Sequence, residues 1–168
     1  MAYRNKVFAS FDGDTDMHYY RLMCAWKQND RTPFNFFDAH ELCQARDTST
    51  EYSIRRSLAE RLSNAKVFVC LIGEKTRYLY RFVKWELEQA ISRDLPIIGV
   101  NLNGRRDQDP DRCPPVIRGH LVLYVPFGVA ILQHGLEHWP DEYSSLKQRG
   151  ITGPRIYTAD VYRQLGLS

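Results

Sequence analysis

The chain has 168 residues, 43% of them hydrophobic and 26% charged, and carries a formal net charge of +3. That length supports one compact domain, which buries well over half of its unfolded surface without a disulfide or metal staple. So small a charge excess, with no lysine–arginine run and no basic stripe of stacked aromatics, argues against a nucleic-acid partner, and no apolar stretch approaches the roughly 18 residues of a membrane span.

Residues 1–6 are polar and lead directly into a strand, which speaks against a signal peptide. The first strand is expected at 6–11 (KVFASF), followed by a helix over 16–28 and a short second strand at 34–38 (FNFFD). Helical spacing of Ile54, Leu58 and Leu62 predicts a helix over 49–63, with Ser49 or Thr50 as N-cap. A near-continuous apolar run at 66–72 (KVFVCLI) has strand length and ends at Gly73. A helix over 78–93 and a strand at 96–101 (PIIGVN) follow. Residues 103–115 (NGRRDQDPDRCPP) form a polar loop of a length usually reserved for function or flexibility. A fifth strand is expected at 120–125, then two short helices at 140–149 and 159–165.

Strands apolar on both faces and separated by helices indicate a parallel sheet covered on both sides. The reading is an α/β, flavodoxin-like, doubly wound sheet of about five strands. It spans 1–168 as one domain, with a core at about 5–125 and a helical or irregular extension over 126–168. The four cysteines, Cys24, Cys43, Cys70 and Cys113, follow no zinc-ligand spacing. With no disulfide framework and no metal expected, the compartment read from the sequence is the reducing cytoplasm.

Ligands of open parallel sheets bind outside the carboxyl ends of the strands. Here those ends carry Ser10, Phe11, Asp12, Gly13 and Asp14, then Asp38 and Ala39, then Gly73 and Glu74, then Asn101. Asp12, Asp14 and Asp38 are equally good loop and N-cap residues. In the helix after the third strand, Leu79, Val83, Leu87, Ala90 and Ile91 form the buried stripe. At about 100° per residue, Glu86 lies at the stripe's edge between Phe82 and Ala90, away from Lys84 and Glu88. A carboxylate there is costly unless it faces a cleft or finds a partner, and such placement tends to equip it for chemistry. The bland alternative is a packed stem whose head reaches water. Trp85 is expected on the outward side, as a contact surface for self-association or a partner.

Other chemistries find little support. There is no Walker loop, no GxGxxG after the first strand and no GxSxG elbow. His18, His40, His120, His134 and His138 form no metal motif, and the His134–His138 spacing lacks a third ligand.

The segments VFASFDGD, FFDA and AKVFVCLIGEKT…RFVKWELEQAI…PIIGVNLN together resemble the TIR-like domains of bacterial antiphage defence, of the Thoeris ThsB-like kind. The likeness runs from about residue 6 to residue 103. It implies an enzyme that cleaves NAD⁺ at the nicotinamide–ribose bond, with NAD⁺ as substrate and no cofactor. It further implies a cyclic or conjugated nucleotide product that reaches a separate effector protein. On this resemblance Glu86 is the catalytic carboxylate, while Ser10, Phe11 and Asp12 from the first loop and Asp38 and Ala39 from the second line the substrate. Gly73 lies beside them, and Phe82 stands where the family usually has Trp, keeping an aromatic wall. Two other readings stay open: a non-enzymatic TIR-type interaction module assembling through surfaces such as that of Trp85, and a flavodoxin-like phosphoacceptor or nucleotide-binding regulator using Asp12 and Asp38.

Overall fold

The computed structural model describes residues 6–28, 35–38, 51–79 and 82–167. Its elements are β1 (Lys6–Ser10), α1 (Met17–Gln28), β2 (Asn35–Asp38), α2 (Glu51–Asn64), β3 (Val67–Ile72), α3 (Val83–Ser92), β4 (Ile97–Asn101), β5 (Val122–Pro126), α4 (Val129–Gln148), β6 (Pro154–Ile156) and α5 (Ala159–Gln164). The strands form one parallel sheet in the order β2-β1-β3-β4-β5-β6. The chain steps from β1 to one side and then returns past it to build the other, which is the doubly wound, flavodoxin-like arrangement. None of the described helices is long and apolar enough to cross a membrane.

Alternation along the strands divides the core in two. Val7, Ala9, Val67, Val69, Leu71, Ile98, Val100, Leu123 and Val125 face α1 and α4. Phe8, Phe68, Cys70, Ile72, Ile97, Val122 and Tyr124 face α2, α3 and the segment after β4. Every residue of β3 is 1% exposed or less. That double burial is why the run shows no polar alternation in the sequence. Leu58 and Leu62 seat α2 on the second face, as their spacing predicts; the caps proposed for this helix, Ser49 and Thr50, lie outside the described residues.

Four features differ from expectation. First, the helix after β3 begins at Val83 rather than 78. The Thr76 hydroxyl accepts the Gly73 N–H at 2.9 Å and approaches the Leu71 carbonyl at 3.3 Å. This closes a tight turn, and a single 3-10 turn, Thr76–Tyr78, stands apart from the helix proper. Second, Trp85 is not an exposed surface residue. It is half-buried against the second core layer, with the Arg55 guanidinium 5.4 Å from its ring centroid. α2 lies alongside α3 and covers the side that a helical wheel of α3 alone leaves open.

Third, Pro140 does not start a helix but lies inside the 20-residue α4. Ile131, Leu132, Leu136, Trp139, Tyr143 and Leu146 carry one buried stripe straight through it. Proline forfeits only the bond to the Leu136 carbonyl, which the packing of that stripe outweighs. Fourth, the C-terminal stretch adds a sixth strand, and β6 pairs with β5 from Val122↔Pro154 to Tyr124↔Ile156. All three residues of β6 are exposed, so no burial pattern announces it. Proline is tolerated at the first position of such an edge strand. The connection is also unusual in hand. β6 joins the side of the sheet opposite β2, yet α4 packs on the same face as α1. The β5–α4–β6 crossover therefore has the opposite hand to β1–α1–β2, against the usual rule.

The β4–β5 connection has no long helix. Instead Asn101 donates from Nδ2 to the carbonyls of Arg105 at 3.0 Å and Asp107 at 2.7 Å. Asp109 accepts from the N–H groups of Asp111 and Arg112 and from Asn103 Nδ2 at 2.8 Å. Cys113 and Ile117, both fully buried, then close the second core layer. The polar loop read from the sequence is thus a folded cover.

Gly99 faces the ring of Tyr124, and a Cβ there would stand 2.9 Å from two ring carbons. Gly99→Ala is expected to destabilise the protein by about 1–3 kcal/mol, measured as a lower urea midpoint at unchanged slope.

Candidate functional site

The loop after β1 folds on itself. Asp12 is 4% exposed. Its carboxylate accepts the Asp14 N–H at 3.0 Å and the Thr15 hydroxyl at 2.7 Å, and its carbonyl accepts the Asp16 N–H at 2.8 Å. Asp12 therefore organises the turn that starts α1. Phe11 points into the first core layer and stacks on Tyr20 at 4.7 Å between centroids. Ser10 ends β1 opposite Cys70 of β3. It is 1% exposed, and its hydroxyl has no hydrogen-bond partner among the described residues.

Glu86 is 2% exposed in the first turn of α3. Backbone N–H groups at a helix start favour negative charge there. Its N–H donates to the Phe82 carbonyl at 2.7 Å, so Phe82, itself buried, sits one turn earlier on the same face. The helical spacing that put Glu86 at the stripe's edge is thus met by real burial. The Cys70 thiol is pushed well above its ordinary range by burial, then by Cys113, Glu86 and Asp16 in that order. Glu86 and Asp16 therefore both act on the strand whose end is Gly73.

Asp16 is the residue that sequence reasoning passed over as a mere helix start. It is 6% exposed, and its Oδ2 has no hydrogen-bond partner among the described residues. A Cβ on Gly73 would lie 2.2 Å from that oxygen. Only glycine admits this approach, which gives the glycine seen at the end of the third strand its physical reason. Asp16, Tyr19, Gly73, Asn103 and Arg112 line a cleft of ≈ 410 Å³. Arg112 reaches Glu74 at its rim at 3.4 Å. Burial, then the charge of Asp12, raise the Asp16 carboxyl above its ordinary 3.8, against the lowering effects of Thr15, His18 and Arg112. The cleft thus offers a hydrogen-bonding carboxyl over a bare backbone, a guanidinium and an amide. Such a set can hold sugar hydroxyls and a phosphate.

Ser10 and Gly73 are buried at the ends of β1 and β3 and Phe82 and Glu86 are buried at the start of α3, while Phe11 and Asp12 are engaged in packing and turn formation. Asp38 closes β2 beside Ala9 of β1. Ala39 lies outside the described residues. No group of three or more His, Cys, Asp or Glu that could hold a metal ion occurs among the described residues. The signal for Asp16 and Arg112 was present only as loop composition, because a helix start and a residue 39 positions beyond Gly73 meet only in the folded chain.

Fold and rim together define a flavodoxin-like α/β domain with carboxylates gathered at the carboxyl edge of its sheet. The chain belongs to the family described as Thoeris protein ThsB, TIR-like domain, which matches residues 8–107. That span runs from within β1 to beyond β4 and holds every rim residue named above except Arg112. No curated protein matches the chain. Among solved structures, RcsB from Salmonella enterica serovar Typhimurium, bound to promoter rprA in the presence of phosphomimetic BeF3-, is 12% identical over 99% of this chain and 83% of that one. Its TM-score of 0.33 is too low to bear on fold or activity.

Because its folded-state pKa is raised, Asp16 contributes most to stability below its unfolded value of 3.8 and loses that contribution as pH rises through the folded value. Asp16→Asn is therefore expected to gain on the native protein as pH rises above 3.8, with the gap closing on acidification. Urea unfolding from pH 4 to pH 8 measures it, and parallel stability curves would contradict the assignment.

Proposed function

We propose that the chain is an NAD⁺-cleaving TIR enzyme, a glycohydrolase or ADP-ribosyl cyclase, with Glu86 as its catalytic carboxylate. The observation that carries this reading is a glutamate 2% exposed in the first turn of α3, beside the carboxyl edge of a parallel sheet, in a chain of the Thoeris ThsB TIR-like family. A surface glutamate whose head reaches water would not be so buried.

The chemistry asks for little more. Cleavage breaks the bond between ribose C1′ and the nicotinamide nitrogen, and the bonding pair leaves with the ring, neutralising its positive charge. The ribose is left with oxocarbenium character, as in glycoside cleavage. A fixed carboxylate in a site shielded from water stabilises that cation as it develops. Nicotinamide is a good leaving group, so no second acid is required. Water, a nucleophile of the same nucleotide or a nucleophile of a second molecule then adds to C1′ and loses its proton to solvent, giving ADP-ribose, a cyclic product or a conjugate respectively. In this reading Phe82 supplies the aromatic wall, Gly73 the close backbone, and the Asp16 cleft the grip on the rest of the dinucleotide. Ser10, Asp38 and Ala39 complete the substrate lining. The product acts as a diffusible signal to a separate effector in antiphage defence, in the cytoplasm. Neither alternative gains an observation of its own: Trp85 is packed against α2, and the Asp12 carboxylate is engaged by its own turn.

Glu86→Gln keeps the shape and removes the charge. It is expected to lower nicotinamide release from NAD⁺ by about 10²–10³-fold at unchanged thermal stability, followed chromatographically on protein in its assembled, triggered state. Equal turnover by native protein and variant would overturn the reading.

A further inference from the structure

A second cleft among the described residues lies away from the Glu86 rim. It holds ≈ 510 Å³ between α4, β6 and α5, and every residue around it lies beyond residue 107, outside the family match. Its volume is in the range of small-molecule sites, about 300–1,000 Å³.

The lining is ordered by chemistry. The floor is apolar: Leu123, Trp139, Leu146 and Val161. Trp139 is 1% exposed, and its indole N–H has no acceptor among the described residues, a costly state for a buried donor. Two exposed arginines, Arg149 at the end of α4 and Arg155 in β6, stand at the edge. Arg155 pairs in register with Leu123, and register partners in a parallel sheet share a face, so the guanidinium stands over the same face as the floor. Asp141 and Glu142 lie on the α4 side. Burial raises the Glu142 carboxyl, against the lowering effects of His138, of a hydrogen bond with Tyr157 and, least, of Arg155.

A bare anion would meet these carboxylates as well as the arginines, and a purely apolar guest would waste both. One common chemistry satisfies all of them: a flat heteroaromatic ring with an acceptor nitrogen, a diol, and an anionic group beyond it. We propose that this cleft is a binding site for a nucleoside 5′-phosphate, separate from the Glu86 rim. The base lies on the floor with an acceptor turned to Trp139, the ribose hydroxyls donate to Asp141 and Glu142, and Arg149 and Arg155 take the phosphate.

The test uses the full chain carrying Glu86→Gln, so that no turnover interferes, titrated calorimetrically with AMP, adenosine and inorganic phosphate. AMP is expected to bind more tightly than either fragment. Combined Arg149→Ala and Arg155→Ala should weaken AMP at least about tenfold without lowering the melting temperature, since both side chains are exposed. Asp16→Asn, in the cleft proposed to grip the dinucleotide, removes any AMP bound there and should leave intact the AMP binding that the arginine pair abolishes. Trp139→Phe, which keeps an aromatic face and removes the donor, should weaken AMP while adenosine and AMP keep their order. The proposal fails if AMP gives no heat at millimolar concentration, if phosphate alone binds as well, or if the arginine pair is without effect. It fails also if Asp16→Asn abolishes the binding, which would assign the nucleotide to the rim.

Discussion

Burying both faces of a parallel sheet leaves its polar groups only one useful place to emerge, the carboxyl ends of the strands. Here the constraint is nearly complete: β3 and β4 are buried residue by residue, with α1 and α4 on one face and α2, α3 and the folded β4–β5 segment on the other. Each fully buried aliphatic or aromatic side chain contributes on the order of 1.5–3 kcal/mol, so these faces hold no room for water or catalysis. The Glu86 rim and the Asp16 cleft follow from what is left at the carboxyl ends of these strands.

That rim is held by polar turns rather than by regular structure. Asp12 ties the first loop to the start of α1, Thr76 closes the turn after Gly73, and Asn101 and Asp109 fold the long segment after β4. Burial would push the Asp109 carboxyl upward, but donors from Asn103, Asp111 and Arg112 outweigh it, and it stays below the usual carboxylate range. Asp16 is the contrast. With an oxygen that finds no such donor among the described residues, burial prevails and the carboxyl is raised. A structural carboxylate and one left available for a ligand are thus told apart by what surrounds them, not by residue type.

The last third of the chain departs from the rest of the sheet. A short exposed strand and an opposite-handed crossover extend it, and the tie between its turns is long-range: Tyr143 donates to Asp94 at 2.7 Å, and Lys147 joins the same carboxylate. Asp94 itself adopts a positive φ of 60°, a conformation that Asp tolerates better than most residues. Arg106, from the segment that lines the rim, lies 3.8 Å over the ring of Tyr162 in α5. The C-terminal elements therefore touch the loops at the carboxyl edge of the sheet rather than hanging from it.

The sequence by itself determined the layer architecture, the first five strands and the place of Glu86 at the edge of the buried stripe, because each rests on the spacing of apolar residues within one element. Ser10 and Gly73 were legible as strand ends, whereas the roles given to them and to Phe82 came from the family resemblance and not from periodicity. Tertiary structure alone decided what depends on neighbours distant in sequence. Trp85 is half-buried because α2 packs beside it, Pro140 lies within α4 because a core stripe holds the helix through it, and β6 exists because β5 offers an open edge. Asp16 and Arg112 meet across a cleft that no local pattern encodes. Periodicity reports what one element must bury; only the assembled chain says what covers it.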